Sequence, residues 1–266
     1  MILLKSRKLK TIGGVLLILG VGLTLLSFSK LPISGNSAIQ PKLDRAKDNS
    51  KVRAWKSVED FAQDLAVFKT VFWDPRDTES LRKLIREDDS ISESIILEIG
   101  TDSGLISLCS PQAGAKRVKA SDVNSNAIEN TSFNADPLGL KSHFELRLVP
   151  LTATAAFSVI DELETFDLII SNPPWVNQTP QTIDEYALYD ANFNLMKSLF
   201  AGIQAHLKPG GRVLLSYGCV DAIKTIQTLS DKHGLQYTKL DPRILDKLPE
   251  EFCRECWCNF NIFQNS

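Results

Sequence analysis

From residue 55 onward, apolar and polar positions follow two alternating periods. Residues 55–68 place apolar side chains at helical spacing, and residues 78–86 continue that pattern. Short β-type runs then alternate with helical stretches. The pattern predicts strands at 95–99, 117–121, 144–149, 166–171, 212–217, 235–240 and 257–263. It predicts helices at 104–113, 124–134, 192–207 and 220–232, with the turn KPGG (208–211) stopping one and Gly234 closing another. Strands separated by helices imply an α/β, doubly wound, mainly parallel sheet. In such sheets ligands sit beyond the carboxyl ends of the strands, which here means the stretches after Ile99, Ser121 and Ser171.

Ahead of this body the pattern changes. Residues 11–29 are nineteen positions without a charge, rich in Leu, Val, Ile and Gly. As a helix they would span about 28 Å, close to a ~30 Å hydrocarbon core. A cleavable signal peptide is the competing reading, but its apolar stretch is usually shorter, and the candidate cleavage sites around Gly35 and Ala38 fit poorly. The expected organisation is therefore an uncleaved N-terminal membrane anchor (1–30), a basic flexible linker (31–54) and a globular domain (55–266). The linker either rests on anionic headgroups or is a solvated tether.

The net charge of −2 hides an asymmetry. Residues 1–56 hold eleven of the thirty Lys and Arg and two of the thirty-two acids, a net +9. The remainder carries −11, which repels a phosphate backbone and counts against a nucleic-acid substrate. Five cysteines at uneven spacing do not form a disulfide framework. Cys253, Cys256 and Cys258 lack an obvious fourth ligand, so no metal is expected. Cys256 and Cys258 instead fit one face of a strand shared with Phe260 and Ile262.

Candidate chemistry lies in three stretches. In ILEIGTDSGLISL (96–108), Glu98 ends an apolar run and Gly100 and Gly104 bracket Thr101 and Asp102 before a helix. Such a turn brings backbone N–H groups and a helix N-terminus against a ligand. Asp122 closes the next strand, where a carboxylate typically grips a ribose diol; the alternative is a helix N-cap. Asp102 then bears on which cofactor binds. A pyrophosphate would be repelled by it, whereas the cationic, phosphate-free S-adenosylmethionine tolerates it. Aspartate also enters left-handed backbone more readily than most residues and can cap the following helix.

The third stretch, FDLIISNPPWVN, ends a strand in Asn172, Pro173, Pro174 and Trp175. The prolines remove two donors and leave the Pro173 carbonyl free to accept. With the Asn172 side-chain oxygen, that gives two acceptors for a planar –NH2 group, on which Trp175 can stack. A site of this kind needs no strong base, because positioning carries most of the catalysis.

On these motifs the chain resembles class I S-adenosylmethionine-dependent methyltransferases from about Ala54 onward. It is similar to the branch bearing N-P-P-aromatic, which methylates planar nitrogens of glutamine, adenine or guanine. Pro75-Arg76-Asp77-Thr78-Glu79 resembles the P-R-x-x-T-E segment of protein-glutamine methyltransferases, one residue shorter, and LKPGGRVLLSYG matches the family's fifth-strand entry. The resemblance implies a Rossmann-like seven-stranded sheet with an antiparallel last strand. It also implies Glu98, Gly100 and Gly104 beside the cofactor, Asp122 on its ribose and Asn172 at the target nitrogen. Departures from the family are Asp102 in place of a glycine, and no acid after the third strand before Asp161.

The leading expectation is a membrane-anchored N-methyltransferase acting on a planar amide or amine of a protein or small molecule. The rivals are a non-catalytic S-adenosylmethionine-binding protein and an RNA or DNA base methyltransferase. Positive charges flank the anchor almost equally: Lys5, Arg7, Lys8 and Lys10 before it, Lys30, Lys42, Arg45 and Lys47 after it. S-adenosylmethionine is made in the cytosol and crosses bilayers very slowly, so an active domain is expected to face the cytosol.

Overall fold

The computed structural model describes residues 51–218, 220–240 and 258–264. The expected anchor and most of the linker lie outside the described residues, as do Cys253 and Cys256. Among the described residues, no helix is long and apolar enough to cross a membrane.

The chain enters through an antiparallel pair, β1 (Val52–Lys56) and β2 (Leu65–Phe68), where a helix was expected over 55–68. β1 begins at Val52, inside the stretch expected as linker. The apolar positions that mimicked a helical face divide between two sites. Val58, Phe61 and Leu65 pack with Leu105 and Leu108, whereas Trp55, Ala66 and Phe68 pack with Phe133 and Ala127. Helix α3 (Ser125–Ala135) supplies what β2 lacks along its edge. Asn134 accepts from the Ala66 N–H and donates to its carbonyl, and Asn130 accepts from the Phe68 N–H at 2.8 Å. Two asparagines four residues apart face one way on a helix, so they read the strand as a neighbouring strand would. These long-range bonds override the local helical period.

The main sheet is built from β3 (Ile95–Ile99), β4 (Arg117–Asp122), β5 (Phe144–Leu148), β6 (Phe166–Ser171), β7 (Leu207–Tyr217), β8 (Leu235–Lys239) and β9 (Cys258–Gln264). Their order is β5-β4-β3-β6-β7-β9-β8, with β9 antiparallel to both neighbours. The expected seven strands and antiparallel last strand are therefore present. Successive side chains serve opposite faces. In β3, Leu97 and Ile99 join one core and Ile96 the other; in β6, Ile169 joins the first and Leu168 and Ile170 the second. Two buried faces explain the unbroken apolar runs of these strands. Truncating the fully buried Leu97 to Ala would cost about 2–5 kcal/mol.

Helices α1 (Glu79–Arg86) and α2 (Leu105–Gln112) cover one face; α4 (Asn194–His206) and α5 (Val220–Lys232) cover the other. The KPGG stretch is a bulge inside β7 rather than a separate turn. Phe166 pairs with Leu207 and Leu168 with Arg212, so the intervening residues loop out, with Gly210 at φ +77°. On β9, Phe260 and Ile262 are buried on one face, as the alternation predicts.

Candidate active site

Strand β3 stops where Gly100 turns left-handed, at φ +78°. The Gly100 and Thr101 N–H groups then both donate to the Ser121 carbonyl, at 2.9 and 3.0 Å, fastening the loop to the end of β4. Asn130 holds the far side by donating to the Ser103 carbonyl at 2.9 Å. A Cβ placed on Gly100 would meet nothing within 4 Å, because this backbone lines an open cavity of about 270 Å³. Gly104 differs. It is the left-handed residue that starts α2, and a Cβ there would lie 2.6 Å from Thr131 Oγ1. Gly104 therefore serves close helix packing, while its neighbours Ser103 and Leu105 line the cavity.

Asp102 is left-handed as expected, at φ +45°. It does not cap α2, which has no side-chain cap. Its Oδ1 accepts the Phe72 N–H at 2.9 Å, and its own N–H donates to Asp122 Oδ2 at 2.8 Å. The acid that breaks the glycine pattern thus ties the segment after β2 to the cofactor loop. Asp122 also accepts the Asn124 N–H at 2.8 Å, while the cap of α3 is Asn124 itself. The Asp122 carboxylate lines the cavity with backbone donors from Asp102, Val123 and Asn124 holding it in place, where it can accept from a diol. Glu98 is buried and accepts from Thr101 Oγ1 at 3.0 Å and from Ser107 Oγ.

Burial acts on all three acids. It raises Glu98 to about 8 and Asp122 to about 6, and holds Asp102 well above the carboxylate range, with Asp122 adding repulsion. Asp74, Asp77 and Asp190 complete a lining of six carboxylates with no Lys, Arg or His among the described residues. Glu98, raised to about 8, adds little charge at neutral pH. Asp77 and Asp122, which burial raises only to about 6, stay largely ionised there; they disfavour a phosphate-bearing ligand and favour a sulfonium. The open space over Gly100 and the Asp122 carboxylate in the cavity wall fit the ribose and chain of S-adenosylmethionine. Beyond β5, Val149, Ala155 and Ala156 line the wall where the family's acid is missing.

The acceptor side is built on the end of β6. Asn172 Nδ2 donates to Asp77 Oδ2 at 2.9 Å, and Asn172 Oδ1 is buried without a hydrogen-bond partner. Pro174 lines the cavity too, and its carbonyl accepts from the Tyr217 hydroxyl at 3.4 Å. Pro173 and Trp175 are buried but do not line the cavity. The expected stacking of Trp175 on an acceptor is therefore not seen; it packs in the core that includes Phe200 and Tyr217. The cavity is also lined by Ile183, Tyr186 and Tyr189, from a segment that the sequence patterns did not single out, and by Leu195 of the helix expected over 192–207. Asp77 was visible in the P-R-x-x-T-E-like segment, but nothing local showed that it meets Asn172, 95 residues away. Among the described residues there is no His, Cys, Asp and Glu cluster able to hold a metal.

The sequence profile of the family described as "Methyltransferase small domain" matches residues 61–219. The release factor glutamine methyltransferase of Cereibacter sphaeroides is 29% identical over 160 residues, covering 55% of this chain and 54% of the relative. That of Xylella fastidiosa is 31% identical over 174 residues, covering 60% and 59%. The chain thus spans little more than half the length of these relatives. Among solved structures, the ribosomal protein L11 methylase of Lactobacillus delbrueckii subsp. bulgaricus superposes with a TM-score of 0.55 at 17% identity, covering 75% of this chain and 84% of that one. At that identity the likeness concerns the fold.

Proposed function

Because the chain belongs to the methyltransferase small domain family and is an S-adenosylmethionine-dependent methyltransferase, we propose that its acceptor is a planar amide or amine nitrogen. The acceptor is a protein side chain or a small molecule. The observation that carries this reading is the buried, unpartnered Oδ1 of Asn172, fixed in the cavity wall by its bond to Asp77. A buried acceptor without a donor costs about 1–3 kcal/mol, and an N–H supplied by the substrate would relieve it. Asn172 then orients the nitrogen and withdraws one of its hydrogens from competition. When bound, S-adenosylmethionine supplies a methyl group on a positively charged sulfur. The residues proposed to hold it are Gly100, whose missing side chain leaves room for it, and Asp122 on the ribose. Glu98 and Asp102 would hold the loop. The acidic, cation-free lining supports a phosphate-free acceptor over an RNA or DNA base.

The full-length chain with isotopically labelled S-adenosylmethionine should methylate a panel of glutamine-bearing peptides or small amides, and not duplex DNA or transfer RNA. Asn172→Ala should lower turnover about a hundredfold while leaving cofactor affinity within about threefold. Transfer to nucleic acid, or Asn172→Ala turning over at the wild-type rate, would count against this acceptor class. We further propose that residues 1–30 anchor the domain to a membrane on the cytosolic side.

A further inference from the structure

Asp77 forms part of the cavity wall; its Oδ2 accepts from Asn172 Nδ2, its Oδ1 is buried without a hydrogen-bond partner, and its backbone is what the chain holds in place. Its side chain is 4% exposed, and its N–H closes a turn on the Asp74 carbonyl at 3.1 Å. The buried Arg82 guanidinium grips that turn by donating to the Pro75 carbonyl at 2.7 Å and to Thr78 Oγ1. Arg82 is in turn paired with the buried Asp60 at 2.6 Å. The carboxylate therefore reaches Asn172 from a braced turn rather than from a free side chain.

An asparagine amide has nearly the same shape after a half-turn about its last bond, but the flip exchanges an acceptor for a donor. An ionised carboxylate only accepts, so it takes Nδ2 and repels Oδ1. Resting on the reading of Asn172 as the group that holds the acceptor, we propose that Asp77 is the positioning residue that sets the polarity of Asn172. It turns Oδ1 towards the acceptor, so that the site selects nitrogens bearing N–H, in primary amides and amines. Acceptors presenting only oxygen or ring-nitrogen lone pairs would meet another lone pair and be rejected. The titratable groups that face Asp77 are Asp74 and Asp102, both acids, and burial, opposed by the Asn172 bond and aided by Asp74, raises Asp77 to about 6. Once protonated, Asp77 is a donor as well as an acceptor, so it no longer distinguishes Nδ2 from Oδ1 and the amide is released to flip.

The test is side-chain amide NMR on the 15N-labelled full-length chain in mild detergent, with Asn172→Asp identifying the Asn172 signals. In the wild type, one Asn172 amide proton should lie downfield and move as pH passes through about 6. In Asp77→Asn that movement should vanish while the remaining signals persist; Asp77→Glu should restore part of it. An Asn172 pair that ignores pH in the wild type, or titrates unchanged in Asp77→Asn, overturns the proposal.

Turnover on the acceptor found with the panel above gives a second arm. Asp77→Asn should cost about tenfold in kcat with cofactor affinity unchanged, and nothing further in an Asn172→Ala background. An equal loss in both backgrounds means that Asp77 acts independently of Asn172, which also overturns the proposal. Wild-type turnover in Asn172→Ala sinks the acceptor reading itself, and the NMR titration still decides what Asp77 does.

Discussion

The backbone N–H of Asp102 donates to the carboxylate of Asp122 at 2.8 Å, so the residue that departs from the glycine loop also braces the proposed ribose-binding acid. Its own carboxylate reaches the other way, to the Phe72 N–H at 2.9 Å. Asp102 is thus a tie between β4, the cofactor loop and the segment leading to Asp77, and its charge is incidental to that tie.

Asp102→Asn should therefore keep cofactor affinity within about threefold, since an amide oxygen can still accept from Phe72. Asp102→Gly relieves a left-handed non-glycine residue, worth about 1 kcal/mol, but loses a hydrogen bond of similar or greater worth. Its expected signature is near-neutral stability with faster hydrogen exchange at Phe72. Unaltered exchange at Phe72 in Asp102→Gly would show that the tie does nothing.

Two alanine substitutions should separate the glycines. Both positions are left-handed, so each substitution costs about 1–2 kcal/mol in backbone strain. Gly104→Ala also drives a methyl against Thr131 and should lower the melting temperature further. Gly100→Ala places its methyl in the cavity and should weaken cofactor binding by about tenfold or more by calorimetry. Equal affinity losses in the two variants would refute the division of roles.

The buried acids give the ligand-free protein a definite pH dependence. Glu98 rises from its ordinary 4.5 to about 8 on folding, so between those values the folded state holds a proton that the unfolded state has lost. Stability from this group is present below pH 4.5 and is lost as pH rises through 8. Asp77 and Asp122, both raised to about 6, act in the same sense over the lower part of that window. The slope is at most about 1.4 kcal/mol per pH unit for each group. The melting temperature should fall from pH 6 to 8, and Glu98→Gln should flatten that fall. A wild-type curve level across this range would contradict the assignment.

For the proposed anchor, protease added to sealed inverted vesicles should digest the domain, and protease added to intact cells should spare it. Digestion from outside intact cells, with cytosolic markers preserved, would place the domain on the wrong side for its methyl donor.

Local pattern alone revealed the seven strands, the turn after Ile99, the acid at Asp122 and the Asn172-Pro-Pro end of β6. Each of these is written within a few consecutive residues: a short apolar, β-forming run, a glycine that must turn left-handed, a carboxylate at a strand end. Tertiary structure decided the rest, because the partners are distant in sequence. Residues 55–68 carry a helical period, yet Asn130 and Asn134 on α3 hold 65–68 as a strand. Gly104 and Trp175 belong to the site by motif, but Thr131 and the Phe200–Tyr217 core claim them for packing. Asp77 and Asn172 become a pair only when the turn before α1 is laid against the end of β6. Which face of an asparagine meets the substrate is set by that meeting, and no local spacing encodes it.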